Sequence, residues 1–169
     1  MGGQNHATVT AADYLFKKIR TFKDNGEVWT PRKLMDGYME VEREIGYACF
    51  SMPSYMSESK VTEYNKKIQS GNCVRILFGV NDETVDNDIG YSADVLEVYV
   101  FQNSGFCPWG EDGNIPEFRG ESNTTWMKVR RLKEERNIRA DMLIIKSNGE
   151  SLKDRICHSQ CHFAYVSLK

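Results

Sequence analysis

Hydrophobic and polar positions divide this chain into helical and extended stretches. Over residues 11–23 the apolar side chains Leu15, Ile19 and Phe22 recur three or four apart, with Lys17, Lys18 and Arg20 away from them. That spacing predicts a helix with Thr10 at its cap, and Asn25-Gly26 marks its end. Thr30-Pro31 predicts a second helix, with the threonine as cap and the proline in the first helical position. Leu34, Tyr38 and Val41 form its apolar stripe, widened by Met35 and Met39. A third helix, capped by Ser57 or Ser59, carries Val61, Tyr64 and Ile68 at helical spacing and stops before Gly71.

Other segments read as strands. Residues 46–52 are short and apolar and are closed by Pro53. Residues 73–80 are apolar except for Arg75, as a buried strand requires. Residues 89–101 place Tyr91, Ala93, Val95, Glu97, Tyr99 and Phe101 on one face. Residues 124–132, 142–146 and 161–168 predict three more strands, and Ser151 opens a short helix reaching about Ser159. Residues 103–123 hold four Gly and two Pro and predict a long loop, the kind of segment that often carries function.

The order of elements predicts an α+β fold. A length of 169 residues fits one domain able to bury its own core without staples. Five cysteines, an odd number at irregular spacing, fit reduced thiols. No apolar run approaches a membrane span and the first residues are polar, so an intracellular, cytoplasmic protein without membrane contact is expected.

Charge changes the picture more than composition does. Residues 76–118 contain nine carboxylates and no Lys, Arg or His, so a net charge of −2 conceals −9 in that segment against +7 elsewhere. Segregation of this kind acts on charged partners through the long-range field. The opposite sign gathers between Lys128 and Arg139, where Lys128, Arg130, Arg131, Lys133 and Arg136 make the core of a patch suited to phosphate contacts.

Signatures of catalysis are weak. Neither a phosphate-binding glycine loop nor a nucleophile elbow occurs. The cluster Cys157-His158-x-x-Cys161-His162 has metal-ligand residue types, but its spacing matches no established zinc pattern. The acidic run 81–88 lacks the register of a calcium loop. Asp94 and Glu97 read as the exposed face of a strand rather than a metal-binding pair. No catalytic residue, metal or cofactor is expected.

Two motifs carry a resemblance. Gly71-Asn72-Cys73-Val74-Arg75-Ile76-Leu77-Phe78, followed by Ile89-Gly90-Tyr91-Ser92-Ala93-Asp94-Val95, resembles the PUA-like superfamily, particularly its EVE and ASCH branches. The resemblance covers residues 45–169 and implies a small, partly open mixed β-barrel of five or six strands with flanking helices. Residues 1–44 would form an N-terminal helical extension of two helices. It also implies binding of RNA or of modified DNA bases in an aromatic pocket. The residues matching such a pocket are Ser51, Met52 and Pro53, with Phe78, Tyr91 and Trp126 as walls; Trp109, from the long loop, is added to them as an aromatic able to stack on a base.

The leading expectation is therefore a non-enzymatic module that binds DNA or RNA and recognises a modified base. The alternative is a protein-interaction factor, such as an inhibitor from a mobile element, acting through the acidic segment 82–117. An enzyme using thiol or metal chemistry around Cys157 and Cys161 ranks last.

Overall fold

The computed structural model describes residues 12–83, 85–156 and 162–169. Its architecture is α+β. Seven strands form one mixed sheet: β1 (Asp13–Lys18), β4 (Ala48–Met52), β5 (Val74–Val80), β6 (Asp88–Gly105), β7 (Asn123–Glu134), β8 (Leu143–Ile145) and β9 (Phe163–Leu168). Their order across the sheet is β4-β7-β6-β5-β1-β9-β8. β1 and β5 run parallel and every other neighbouring pair is antiparallel. β4 and β8 are its edges, and no pairing joins them among the described residues. A separate hairpin is formed by β2 (Phe22–Asp24) and β3 (Glu27–Trp29).

The expected first helix over residues 11–23 is instead β1 followed by β2. Thr10, its expected cap, lies outside the described residues. The reason is visible in the burial. Leu15 joins the core on one face of the sheet, while Tyr14 and Phe16 join the core on the other. A strand covered on both faces reads as a continuous apolar run, and the three-to-four spacing of Leu15, Ile19 and Phe22 was coincidental. Asn25-Gly26 is the hairpin turn, with both residues at positive φ (51° and 78°), as a type I′ turn demands.

The second expected helix is α1 (Pro31–Ile45), with Thr30 accepting from the Lys33 N–H and Pro31 in its first turn. The third is α2 (Glu58–Gln69), capped by Ser57 rather than Ser59. A short α3 (Leu152–Ile156) precedes β9. β6 continues to Gly105, beyond the expected end at Phe101, and the long loop contains two 3-10 turns, Glu111–Gly113 and Pro116–Phe118.

α1 and α2 cover one face of the sheet. Leu34, Met35, Tyr38 and Val41 of α1 and Tyr64 of α2 pack against Leu15, Phe50, Ile76, Phe78 and Met127. Each such large side chain, fully buried, contributes roughly 1.5–3 kcal/mol. α3 and its neighbours cover the other face over Phe16, Leu77 and Val166. A third cluster, Cys49, Cys107 and Trp126, lies beneath the long loop.

Beyond Asp94, β6 outruns β5. There Asn65 of α2 substitutes for a strand: its amide donates to the Val98 carbonyl at 2.9 Å and accepts from the Val98 N–H at 2.8 Å. This reciprocal pair fixes α2 across the sheet and so places Lys60, at its N-terminal end, over Tyr165 of β9.

Candidate nucleic-acid interface

The basic residues of β7, with Arg136 just beyond it, do not form one free surface. Lys128 lies 4.5 Å from the centre of the Tyr47 ring. Arg130 is paired in register with Asp94. Arg131 sits at a bulge with φ of 57° and its guanidinium is 3.5 Å from Asp94, which also binds Arg75 at 3.2 Å. Burial costs the Arg75 guanidinium, but its hydrogen bond and charge contact with Asp94 more than offset this and raise its pKa. Arg136 is bound to Glu134 at 2.9 Å. Arg130 and Arg131 share a groove of about 340 Å³ with Gly71, Asn72 and Cys73. Arg136 lines a different cleft of about 380 Å³ with Arg32, Tyr91 and three carboxylates, Asp82, Glu134 and Glu135. Lys133 is exposed.

The residues expected to form a base pocket are divided between the two faces of the sheet. Met52, Phe78 and Tyr91 belong to the main core, all at most 6% exposed. Trp126 is wholly buried in the third cluster, with Trp109 packed beside it and its indole N–H donating to the Gly105 carbonyl at 3.0 Å. Ser51 accepts from the Asn123 amide, and Pro53 is exposed.

Nor is the acidic segment one continuous surface. Four of its carboxylates hold backbone or cation partners inside the fold: Asp82 caps the Val85 N–H, Asp88 accepts from Ile89 and Ala140, Asp94 binds two arginines, and Glu111 accepts from Gly120. Cys157, His158 and Cys161 lie outside the described residues. Their companion His162 is exposed; partial burial and the nearby Arg20, Lys17 and Lys18 lower its pKa.

A different site is better built. At the open end of β9, a cleft of about 630 Å³ is lined by Phe163 and Tyr165 with Lys60, Lys146 and Arg155 around them. β8 pairs with β9 only from Val166 to Leu168, so the β9 edge at Phe163 and Ala164 lies beyond that ladder. Phe163 and Tyr165 meet edge to face, with centroids 5.4 Å apart and planes at 81°. Tyr165 is held from behind by Tyr64, stacked at 5.6 Å and 11°. Lys60 stands 5.0 Å from its ring centre. In the register with β1, Lys17 lies opposite Phe163. Burial, followed by repulsion from Arg20, lowers the Lys17 pKa.

The cations around the cleft are anchored by carboxylates at its margin. Lys146 and Lys67 both approach Asp13, at 3.6 and 3.1 Å, and Arg155 approaches Glu150 at 3.2 Å. Burial disfavours the Lys67 ammonium, yet the hydrogen bond to Asp13 and the charges of Asp13 and Glu63 raise its pKa overall. The arrangement presents two half-buried aromatic rings within a rim of three cations, each beside a carboxylate, Lys60 with Glu63 at 3.4 Å among them. That combination can stack a planar ring and hold an attached anion.

No protein-family model matches this chain, and neither does any curated protein.

Sequence reasoning named none of these cleft residues as a site. Phe163 and Tyr165 were legible as one face of the last strand, since His162, Ala164 and Val166 mark the other. The three cations come from α2, the turn after β8, and α3, with no local pattern connecting them.

Proposed function

We propose that this protein is a non-enzymatic nucleic-acid-binding module whose β9 cleft takes an unpaired base. The observation that carries the reading is the edge-to-face pair Phe163–Tyr165 inside a rim of Lys60, Lys146 and Arg155. A base stacks on one ring while the neighbouring ring closes its side, and the cations receive the flanking phosphates. The open β9 edge offers backbone groups to the base's polar edge, which is where a modified base would be distinguished from an unmodified one. Along α2 the cleft is followed by Lys67 and then by the groove of Arg130 and Arg131, both on the path of a longer strand. The likeness of residues 71–78 and 89–95 to PUA-like domains favours the same class of ligand.

The test is fluorescence anisotropy with labelled single strands and duplexes of DNA and RNA, unmodified and base-methylated, across a salt series. The reading expects salt-sensitive binding that Phe163→Ala weakens about five- to 150-fold, since stacking of one base on an aromatic is worth roughly 1–3 kcal/mol. Lys146→Ala with Arg155→Ala would lower the salt slope. Absence of binding at low salt, or full affinity in Phe163→Ala, rejects it.

A further inference from the structure

The surface of α1 raises a separate question, because one of its faces carries a row of carboxylates. Asp36, Glu40 and Glu44 follow one another at intervals of four, so they stack along one side of the helix. Like charges at that spacing repel and weaken a helix. None of the three makes an ion pair among the described residues, nor does Glu117, which faces them from the 3-10 turn. The repulsion is therefore retained without an ion-pair partner among the described residues.

These carboxylates border a groove of about 260 Å³ whose floor is apolar, formed by Trp29, Val41, Ile115 and Pro116. Gly37 is what lets the two walls approach: a Cβ there would come within 2.9 Å of Ile115 Cδ1. Lys33, a cation of the groove's lining, is already engaged, paired with Glu27 and seated 4.3 Å from the Trp29 ring centre. Trp29 itself supplies a second, independent sign. It is 2% exposed, and its indole N–H has no acceptor among the described residues. Buried donors are nearly always satisfied, so an orphan in the wall of a groove marks a place where a partner atom is missing.

We infer that this groove is a docking site for a basic, partly apolar peptide segment of a partner protein. Apolar side chains of the segment fill the floor, its Lys or Arg side chains meet Asp36, Glu40, Glu44 and Glu117, and a carbonyl reaches the Trp29 indole N–H. The site is independent of the β9 cleft.

A fluorescein-labelled 16-residue peptide with Lys on one helical face and Leu on the adjoining positions is the probe, with a Glu-for-Lys version as its counterpart. The expected result is binding of the basic peptide alone, weakened at least tenfold in the triple variant Asp36→Asn, Glu40→Gln, Glu44→Gln and unaffected in a control variant, Glu83→Gln with Glu97→Gln. In 1H–15N spectra the Trp29 indole signal, assigned from Trp29→Phe, should move downfield as it gains an acceptor. Equal affinity of the triple variant and the wild type overturns the inference, as does binding that leaves the Trp29 signal in place. Circular dichroism of the triple variant guards against misfolding; neutralising the three charges should leave the helix at least as stable.

Discussion

The carboxylate of Glu42 accepts hydrogen bonds from the backbone N–H groups of both Arg131 and Leu132, each at 2.8 Å. Arg131 is a non-glycine residue at positive φ, so this side chain of α1 holds a strained bulge of β7 in place. Glu42→Gln offers one acceptor where two are needed and turns an amide N–H toward a backbone N–H. We expect a loss of about 1–3 kcal/mol, measured as a lower urea midpoint with an unchanged slope.

Asn65 makes the same kind of bond from α2 to β6. Asn65→Ala leaves the N–H and C=O of Val98 without their partners, and Val98 is 1% exposed. A destabilisation of about 2–4 kcal/mol is expected from two buried groups left unsatisfied. Hydrogen exchange should report it locally, with the Val98 amide losing protection well before the amides of β5.

Gly79 lies where β1, β5 and α3 meet. An added Cβ would stand 2.6 Å from the Phe16 ring and 2.9 Å from Ile156 Cδ1. Gly79→Ala should cost about 1–3 kcal/mol by overpacking, while Gly→Ala at a compatible site would gain stability. Thermal unfolding of the single variant separates the two, and Gly79→Ala combined with Ile156→Val should recover part of the loss.

Glu135 introduces a pH dependence. Burial works against its charge, but hydrogen bonds from Ser92 and the Asn137 N–H, together with Lys133 and Arg75, hold its pKa below the ordinary 4.5. A depressed carboxylate stabilises the fold fully above the unfolded pKa, and that contribution is lost as pH falls through the folded one. At neutral pH the wild type should therefore exceed Glu135→Gln in stability. The gap should narrow below pH 4.5 and close once the folded carboxylate is protonated, as urea unfolding at a series of pH values would show.

Where a cue is local, the sequence revealed the structure. Thr30-Pro31 names its own helix start because the cap and the proline act within one turn. Gly71 names the end of α2 because positive φ there, at 88°, suits glycine. β1 reads as a helix because both its faces are covered, which erases the alternation that distinguishes a strand from a helix. The residues expected to line a pocket lie apart for a related reason. Trp126, Phe78 and Met52 are aromatic or flexible residues that the core itself consumes, and no pattern in one dimension separates a ring that lines a cleft from one that fills a core. Three carboxylates of the acidic segment, Asp82, Asp88 and Glu111, are likewise spent on backbone N–H groups, and Asp94 is spent on two arginines. Lys60, Lys146 and Arg155 became neighbours only through the packing of α2 and α3 against β9.

β1 stands between β5 and β9, with Tyr14 opposite both Arg75 and Val166. During synthesis, then, β1 leaves the ribosome long before either neighbour exists, since β5 begins at Val74 and β9 only at Phe163. Until β9 arrives, β1 has one unpaired side, and β8 has no route to the rest of the sheet. Completion of the sheet is a late event with a long loop to close. From the making of β1 to the making of β9 the nascent chain carries an unpaired strand edge, the state in which partly made proteins pair with the wrong strand.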